Sequence, residues 1–482
     1  MNYKFNKGSG VRHKKYGHGV VLSTRFNGYE FLVSFGRFRV WIRGDELLED
    51  RGGVHLAYSK GEAAHLSEFE KFLTGLAGRE FEGRQAPGAR RKERITEEPS
   101  SISKAARVEE IAAIEAFRLG IVPYGQVKNW TVGRDEEAQR VKDWLKSESE
   151  GAILIEGAYG SGKSHLLYYL YDTALSEGYA VSLASFDPTE GSGAFPKRVY
   201  RKIVQNLKVP LKNNRVSFRE MVVELSEINR NILHSHKLIG RFLDSLGKQD
   251  IDEVSWDWFE GREGVKGDMG SMFDFTTVAN IYCNLLSAFS AAMAEHLNLK
   301  GLLILLDETE TAKSAYYHYY FSRGMNFFKG LSLAANDDHM LLEERVSKRD
   351  NVYRGEDTGL IYSGHMRIPY LFKIPSFLKV VFAITPGVLT DEFRKFRETL
   401  DVIALDNVKI HDLRVIFGRF AEHYSRVYGV GIPPAHRERY FRLLLDTIKY
   451  SSTRNFIKSM VELFDYMRFY PESSAEAMLL RA

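Results

Sequence analysis

Eight consecutive residues, Gly157-Ala158-Tyr159-Gly160-Ser161-Gly162-Lys163-Ser164, fit the pattern G-x-x-x-x-G-K-[ST] without a gap. Glycines at these positions let a loop close tightly, so its backbone N–H groups converge on phosphate oxygens. A lysine there reaches the β- and γ-phosphates, and a serine hydroxyl there binds Mg²⁺. The implied chemistry is nucleoside triphosphate binding, with Lys163 on phosphate and Ser164 on the metal. Such a site needs a second, acidic motif. Asp307-Glu308 closes the apolar run Leu302-Leu303-Ile304-Leu305-Leu306. Asp307 suits Mg²⁺, directly or through water. Glu308 beside it suits activation of the attacking water, and is preferred as the base over Glu310.

Four more positions have the right chemistry. Thr385 ends the apolar run Leu378–Ile384 and could place a hydroxyl near the γ-phosphate. Arg394 and Arg397 lie three apart on a helical stretch, where either could act as an arginine finger across a subunit interface. Arg454 follows Ser452 and Thr453, either of which could cap a helix. A cation in that first turn faces the positive end of the dipole and calls for an anion such as phosphate. The aromatic run Tyr316–Phe321 reads as helix packing rather than a base-stacking surface. His13 and His18 read as residues of a small β module rather than metal ligands.

The elements that must position these groups are legible nearby. Ala152-Ile153-Leu154-Ile155 is a buried strand before the loop, and His165–Leu170 begins a helix after it. A second strand is expected at Ala180–Ala184, a third at Leu302–Leu306 and a fourth at Leu378–Thr385. Residues 190–300 have mostly helical periodicity, 336–367 read as a long polar loop, and helices return from about 409. The expected fold class is α/β: a P-loop core with a parallel sheet and a C-terminal helical lid. A small N-terminal β-barrel precedes it, with strands at Val11–Leu22, Phe31–Phe35 and Arg39–Ile42. Between them, 55–82 look helical, and Gly83 to Lys104 read as a linker containing Arg90-Arg91-Lys92.

Composition narrows the classes. Among 482 residues, 44% are hydrophobic and 27% charged, as in an ordinary globular protein. The formal net charge of +4 allows nucleic-acid contact without arguing for it. The single cysteine, Cys283, excludes an intrachain disulfide and a cysteine zinc site, which points to a reducing cytoplasm. No apolar run reaches the roughly 18 residues of a membrane span. Residues 1–10 lack the apolar core of a signal peptide.

Two resemblances follow. The pattern V-x-H-x-x-[FY]-G-x-G-x-V, then V-x-F-G, is met by Val11, His13, Tyr16, Gly17, Gly19, Val21, Val33, Phe35 and Gly36. It resembles the Tudor/SH3-like domains appended to bacterial superfamily-1 DNA helicases. Over roughly 107–470, the order of Val132-Gly133-Arg134, phosphate loop, Asp307-Glu308, Thr385, the arginines and Thr453-Arg454-Asn455 resembles the AAA+ ATPases. The initiator and helicase-loader branch is nearest. Glu156 to Leu167 with Leu305–Glu308 are similar to the BREX-type ATP-binding proteins of phage-defence islands. The resemblance implies that Val132, Gly133 and Arg134 lie near adenine and that His165 belongs to the nucleotide site with the loop. It makes Thr385 the first sensor and Arg454 the second. Lys163 and Asp307 are farther apart than in a minimal AAA+ core, so a helical insertion is expected between them.

The expected domains are 1–52 (barrel), 53–104 (helix and linker), 105–408 (ATPase core) and 409–482 (lid). The expected function is that of a cytoplasmic Mg²⁺-ATP hydrolase acting as a homo-oligomer. Its target would be DNA or a DNA-bound partner in anti-phage defence, alongside other defence-system proteins and away from membranes. Two other classes stay open: a nucleotide-dependent scaffold or switch with little turnover, and a DNA-binding adaptor.

Overall fold

In a computed structural model, the described residues are 10–49 without 14–16, 26–29, 36–37 and 44–46, together with 104–470. Within the latter stretch 188–191, 213, 229–230, 248–251, 263–278, 316–317, 389, 449 and 451 are excepted. The helix expected at 55–82 and the basic linker lie outside the described residues. The chain forms two separate units.

The first unit contains β1 (Gly10–His13), β2 (Gly17–Arg25), β3 (Glu30–Phe35), β4 (Phe38–Arg43) and β5 (Leu47–Glu49). They pair antiparallel in the order β4-β3-β2-β1-β5. The strand expected over Val11–Leu22 is in fact two strands that pair with each other. Val11, Val21 and Val33, from three neighbouring strands, are fully buried. Among the described residues β4 and β5 share no pairing, so this is a five-stranded sheet and barrel closure remains an expectation.

The second unit opens with α1 (Lys104–Leu119), α2 (Val127–Trp130) and α3 (Asp135–Lys146), then β6 (Ala152–Gly157) and α4 (Lys163–Ser176). β7 (Ala180–Ser185) follows. The expected helical insertion comprises α5 (Pro196–Asn206), α6 (Phe218–Ser226), α7 (Ile239–Gly247), α8 (Glu253–Phe259) and α9 (Ala279–Leu297). A small hairpin of β8 (Val209–Leu211) and β9 (Asn214–Val216) interrupts it. Then come β10 (Leu302–Asp307) and α10 (His318–Ala335). The stretch expected as a long loop is structured. It holds α11 (Met340–Glu343) and an antiparallel sheet of β11 (Val346–Arg349), β12 (Val352–Gly355) and β13 (Ile361–Tyr362). Asp350 and Asn351, with φ of 49° and 62°, make the two-residue turn between β11 and β12.

β14 (Leu378–Ile384), α12 (Asp391–Arg397) and β15 (Asp401–Leu405) complete the core. β15 was not anticipated. Its Asp401 and Ala404, on opposite faces, are both exposed, as on a sheet edge, so it lacks an unbroken apolar run. The central sheet runs β15-β6-β14-β10-β7 with all strands parallel. The fold class is therefore α/β, as expected.

Side-chain alternation splits the sheet into two cores. Ile153, Ile155, Val181, Leu303, Leu305, Val381 and Ala383 face α3 and α4. Leu154, Ala184, Ile304, Leu306, Val380 and Phe382 face the insertion, α9 and α10. Each such aliphatic side chain contributes about 1.5–3 kcal/mol on burial. Two buried faces explain why these strands read as unbroken apolar runs.

The C-terminal helices α13 (Ile410–Tyr428), α14 (Pro434–Ile448) and α15 (Thr453–Phe469) form the lid. Phe464 of α15 packs on Phe417 and Phe420 of α13, with ring centroids 5.7 and 5.3 Å apart. The lid is bolted to α1, where Arg118 Nε and Nη2 donate to both oxygens of Asp465, each at 2.9 Å.

Candidate nucleotide site

The loop after β6 turns through Gly160 and Gly162, whose φ angles of 79° and 108° suit glycine. Gly162 is the N-cap of α4, so the free N–H groups of that helix open onto the loop. Lys163 is buried, and its Nζ donates to Gly157 O at 2.8 Å, Ala158 O at 3.3 Å and Thr385 Oγ1 at 3.0 Å. The Ser161 hydroxyl is fully buried and finds no partner among the described residues. Gly157 to Ser164 thus form a cradle with a cation at its floor.

Strand order, which the sequence does not display, assembles the rest. The loop strand β6 and the acidic strand β10 are not neighbours, because β14 lies between them. That insertion carries Thr385, the residue after β14, to the Lys163 ammonium. Asp307 ends β10 and accepts from Ser164 Oγ at 2.6 Å on Oδ2. Hydroxyl and carboxylate are the oxygen donors that Mg²⁺ favours. They are aimed at each other at the start of α4, so the residues present fit that ion.

Burial shifts the charges. Desolvation lowers the Lys163 pKa, although Glu310, Asp307 and Glu308 all oppose it. Desolvation raises Asp307, although the Ser164 hydrogen bond, the Lys163 charge and the Glu308 amide oppose it. Glu308 is also raised, by burial first and then by Asp307 and Glu310. An anionic ligand beside Lys163 and a cation beside Asp307 reverse both shifts.

A cavity of about 460 Å³ contains Lys163, Ser164, Asp307, Glu308 and Thr385 on one wall. Phe117, Ile121, Val122, Pro123, Trp130 and Ile416 form an apolar wall suited to a base. Sequence reading missed this wall; its signal was Ile121-Val122-Pro123 directly after the turn at Gly120. Val132, Arg134 and His165 also line the cavity. The Arg134 guanidinium is committed to protein. It donates to Ser161 O and Glu137 Oε1, both at 2.7 Å, and to Asp406 O. Gly133 stands against Asp412, which a side chain there would strike.

Arg454 lines the cavity from the lid. Its Nη1 donates to the Tyr159 hydroxyl, and its guanidinium lies 5.2 Å from that ring's centroid. Ser452 is the cap of α15, accepting from Asn455 N at 3.2 Å. Arg394 and Arg397 do not share a fate. Arg397 Nε donates to Glu156 Oε2 at 2.7 Å, beside the loop, whereas Arg394 is exposed and pairs with Asp391 on its own helix. In the aromatic run, Tyr320 packs on Phe195 and Phe321 on Phe393, whereas Tyr319 is half exposed under Arg323.

Two histidines make a pH prediction. His165 contacts Thr131 Oγ1 at 2.9 Å, and that hydroxyl already donates to Val127 O at 2.8 Å. The ring therefore donates from Nε2. His236 Nδ1 accepts from the amides of Leu238 and Ile239 at the start of α7, each at 3.1 Å. Burial pushes both pKa values down to about 4, with Arg134 adding to the shift at His165. The unfolded chain takes up these protons near pH 6.5 and the folded chain does not, so stability is intact above 6.5 and falls as the pH drops toward 4. At His236 the loss is of order 3 kcal/mol by pH 4. Denaturant midpoints at pH 7.5, 6 and 5 should fall in that order, and His236→Gln should flatten the slope.

Residues 104–241 match the profile of a family described as BREX system ATP-binding protein BrxC/D. That stretch runs from α1 into α7 and contains the phosphate loop but not Asp307. No curated protein matches the chain. Among solved structures, one of a DNA replication initiation factor is similar at 11% identity and a TM-score of 0.32, over 71% of this chain and 64% of that one. AMPPCP-bound DnaA from Aquifex aeolicus is similar at 13% and 0.31, over 71% and 65%. Drosophila ORC bound to DNA is similar at 10% and 0.35, over 86% and 73%. The chain thus spans less than two thirds of the length of the first two.

Proposed function

We propose that this chain is an AAA+ ATPase that binds Mg²⁺-ATP between its parallel sheet and its helical lid and hydrolyses it. One observation carries the reading: the Lys163 ammonium, the Thr385 hydroxyl and the Ser164–Asp307 pair meet in a single cavity beside a glycine loop. Loop amides and Lys163 hold the β- and γ-phosphates. Ser164 and Asp307 are the oxygen ligands for Mg²⁺, which when bound neutralises charge on those phosphates. Glu308 takes the proton of the attacking water. Thr385 touches both Lys163 and the γ-phosphate position. Arg454 brings the lid to the phosphates, and Arg394, exposed and paired with Asp391 on its own helix, is the arginine that would reach a neighbouring copy. The likeness to the BREX family over 104–241 supports ATP as the nucleotide and a BREX setting; action on DNA or a DNA-bound partner is part of this proposal.

Glu308→Gln tests the assignment. Phosphate release should fall at least about 100-fold while ATP still binds, the range for losing a general base. A variant that turns over ATP at the parent rate removes Glu308 from the mechanism. A parent chain that binds ATP tightly yet releases no phosphate at any protein concentration, with or without DNA, is instead a nucleotide switch.

A further inference from the structure

Beyond the metal-binding aspartate and its neighbour, the acidic strand end presents a third carboxylate. Glu308 adopts a left-handed conformation, φ 56° and ψ 41°, which turns the chain sharply into a 3₁₀ helix over Thr309–Ser314. Such a conformation is costly for a residue with a side chain and is kept where the surroundings demand it. Thr309 then faces away from the cavity and is fully buried, its hydroxyl donating to Ala383 O of β14 at 3.0 Å. Pinned there, the segment brings Glu308, Glu310 and Thr311 to the lining of the cavity that also holds the phosphate loop.

Two atoms on this segment lack partners among the described residues. Glu310 Oε2 is buried without a hydrogen bond, and so is Thr311 Oγ1, on a residue only 6% exposed. Buried polar atoms are normally satisfied, and an unpaired carboxylate oxygen and an unpaired hydroxyl on consecutive residues of the cavity lining suit a ligand that both donates and accepts, as water does. Of the three acids around Lys163, Glu310 exerts the strongest attraction on the ammonium, ahead of Asp307 and Glu308. Glu310 lines the same cavity as Lys163 and the phosphate loop.

We propose that Glu310 is a second catalytic carboxylate, holding the attacking water together with Glu308 while the Thr311 hydroxyl donates to that water's oxygen. The inference rests on the ATPase reading above. The water's remaining lone pair forms the new bond to the γ-phosphorus. The bond from that phosphorus to the β,γ-bridging oxygen breaks, and its electron pair leaves with ADP. One water proton passes to Glu308 and then to the released phosphate. The other stays hydrogen-bonded to Glu310, which fixes the line of attack.

The test compares the parent with Glu310→Gln, Glu310→Asp, Thr311→Val and Thr311→Ser in single-turnover hydrolysis of Mg²⁺-ATP, with ATP affinity measured on the same samples. Glu310→Gln should hydrolyse at least tenfold more slowly and bind ATP as tightly as the parent or tighter, since a negative charge near the phosphates is gone. Thr311→Val should slow hydrolysis, and Thr311→Ser should restore it. Binding of ADP with aluminium fluoride reads the same geometry without turnover: affinity should drop tenfold in Glu310→Gln while affinity for ADP alone holds. A merely structural Glu310 would weaken ADP and ATP alike. Parental hydrolysis, or parental affinity for the aluminium fluoride complex, in Glu310→Gln overturns the proposal. Failure of the parent itself to bind ATP overturns the ATPase reading, and Glu310 falls with it.

Discussion

Lys163→Met should all but abolish ATP binding, with affinity falling about 100-fold or more, while the chain stays folded. Lys163 is buried to 8% exposure, and a methionine of similar length keeps most of its packing. What is lost is the ammonium that bonds Gly157 O, Ala158 O and Thr385 Oγ1. Hydrogen bonds from a charged donor are worth about 1.5–3 kcal/mol each, and losing one or two to phosphate corresponds to roughly 10- to 10⁴-fold in affinity. Titration calorimetry with ATP, alongside a thermal melt, checks both halves. A variant that binds ATP within threefold of the parent removes phosphate from the vicinity of Lys163.

Arg134→Leu should destabilise the second unit by about 3–5 kcal/mol, the cost of stripping one partner from a buried charged network. The guanidinium fastens three pieces of chain at once: Ser161 in the phosphate loop, Asp406 just beyond β15, and Glu137 on α3. Without it, two carbonyls and a carboxylate lose their donor. Arg134→Lys should recover little, because an ammonium cannot match the planar fork that spans these acceptors. The readout is a lower unfolding midpoint with a proteolytically sensitive phosphate loop. An unchanged midpoint would show that water replaces the guanidinium without cost.

Much of the site was legible because its chemistry is local. The phosphate loop, Asp307-Glu308 and Thr385 each follow an apolar run long enough to mark a buried strand, and catalytic groups at the ends of parallel strands are what such sheets present. Other features depend on backbone direction. Nothing in Asp307-Glu308-Thr309-Glu310-Thr311 announces the left-handed turn at Glu308, so Glu310 was passed over as the weaker base candidate, although it too lines the cavity. The two arginines of α12 looked interchangeable by spacing, until Glu156 claimed Arg397. Family resemblance sets Arg134 beside adenine as an expectation; what its hydrogen bonds show is that it ties the loop to the residue after β15. The sheet of β11–β13 escaped notice because much of it is exposed and polar, with burial concentrated at Gly355, Ile361 and Tyr362.

The strand order has a consequence for biosynthesis. Among the described residues β6, the strand that carries the phosphate loop, pairs only with β14 and β15, both of which emerge late from the ribosome. While the stretch from Gly157 to Ile384 is translated, roughly 10–45 s at about 5–20 residues per second, Ala152-Ile153-Leu154-Ile155 has neither neighbour and both of its edges are open. Nascent chains halted before β14 should therefore be unable to retain nucleotide and should engage holdase chaperones through this segment.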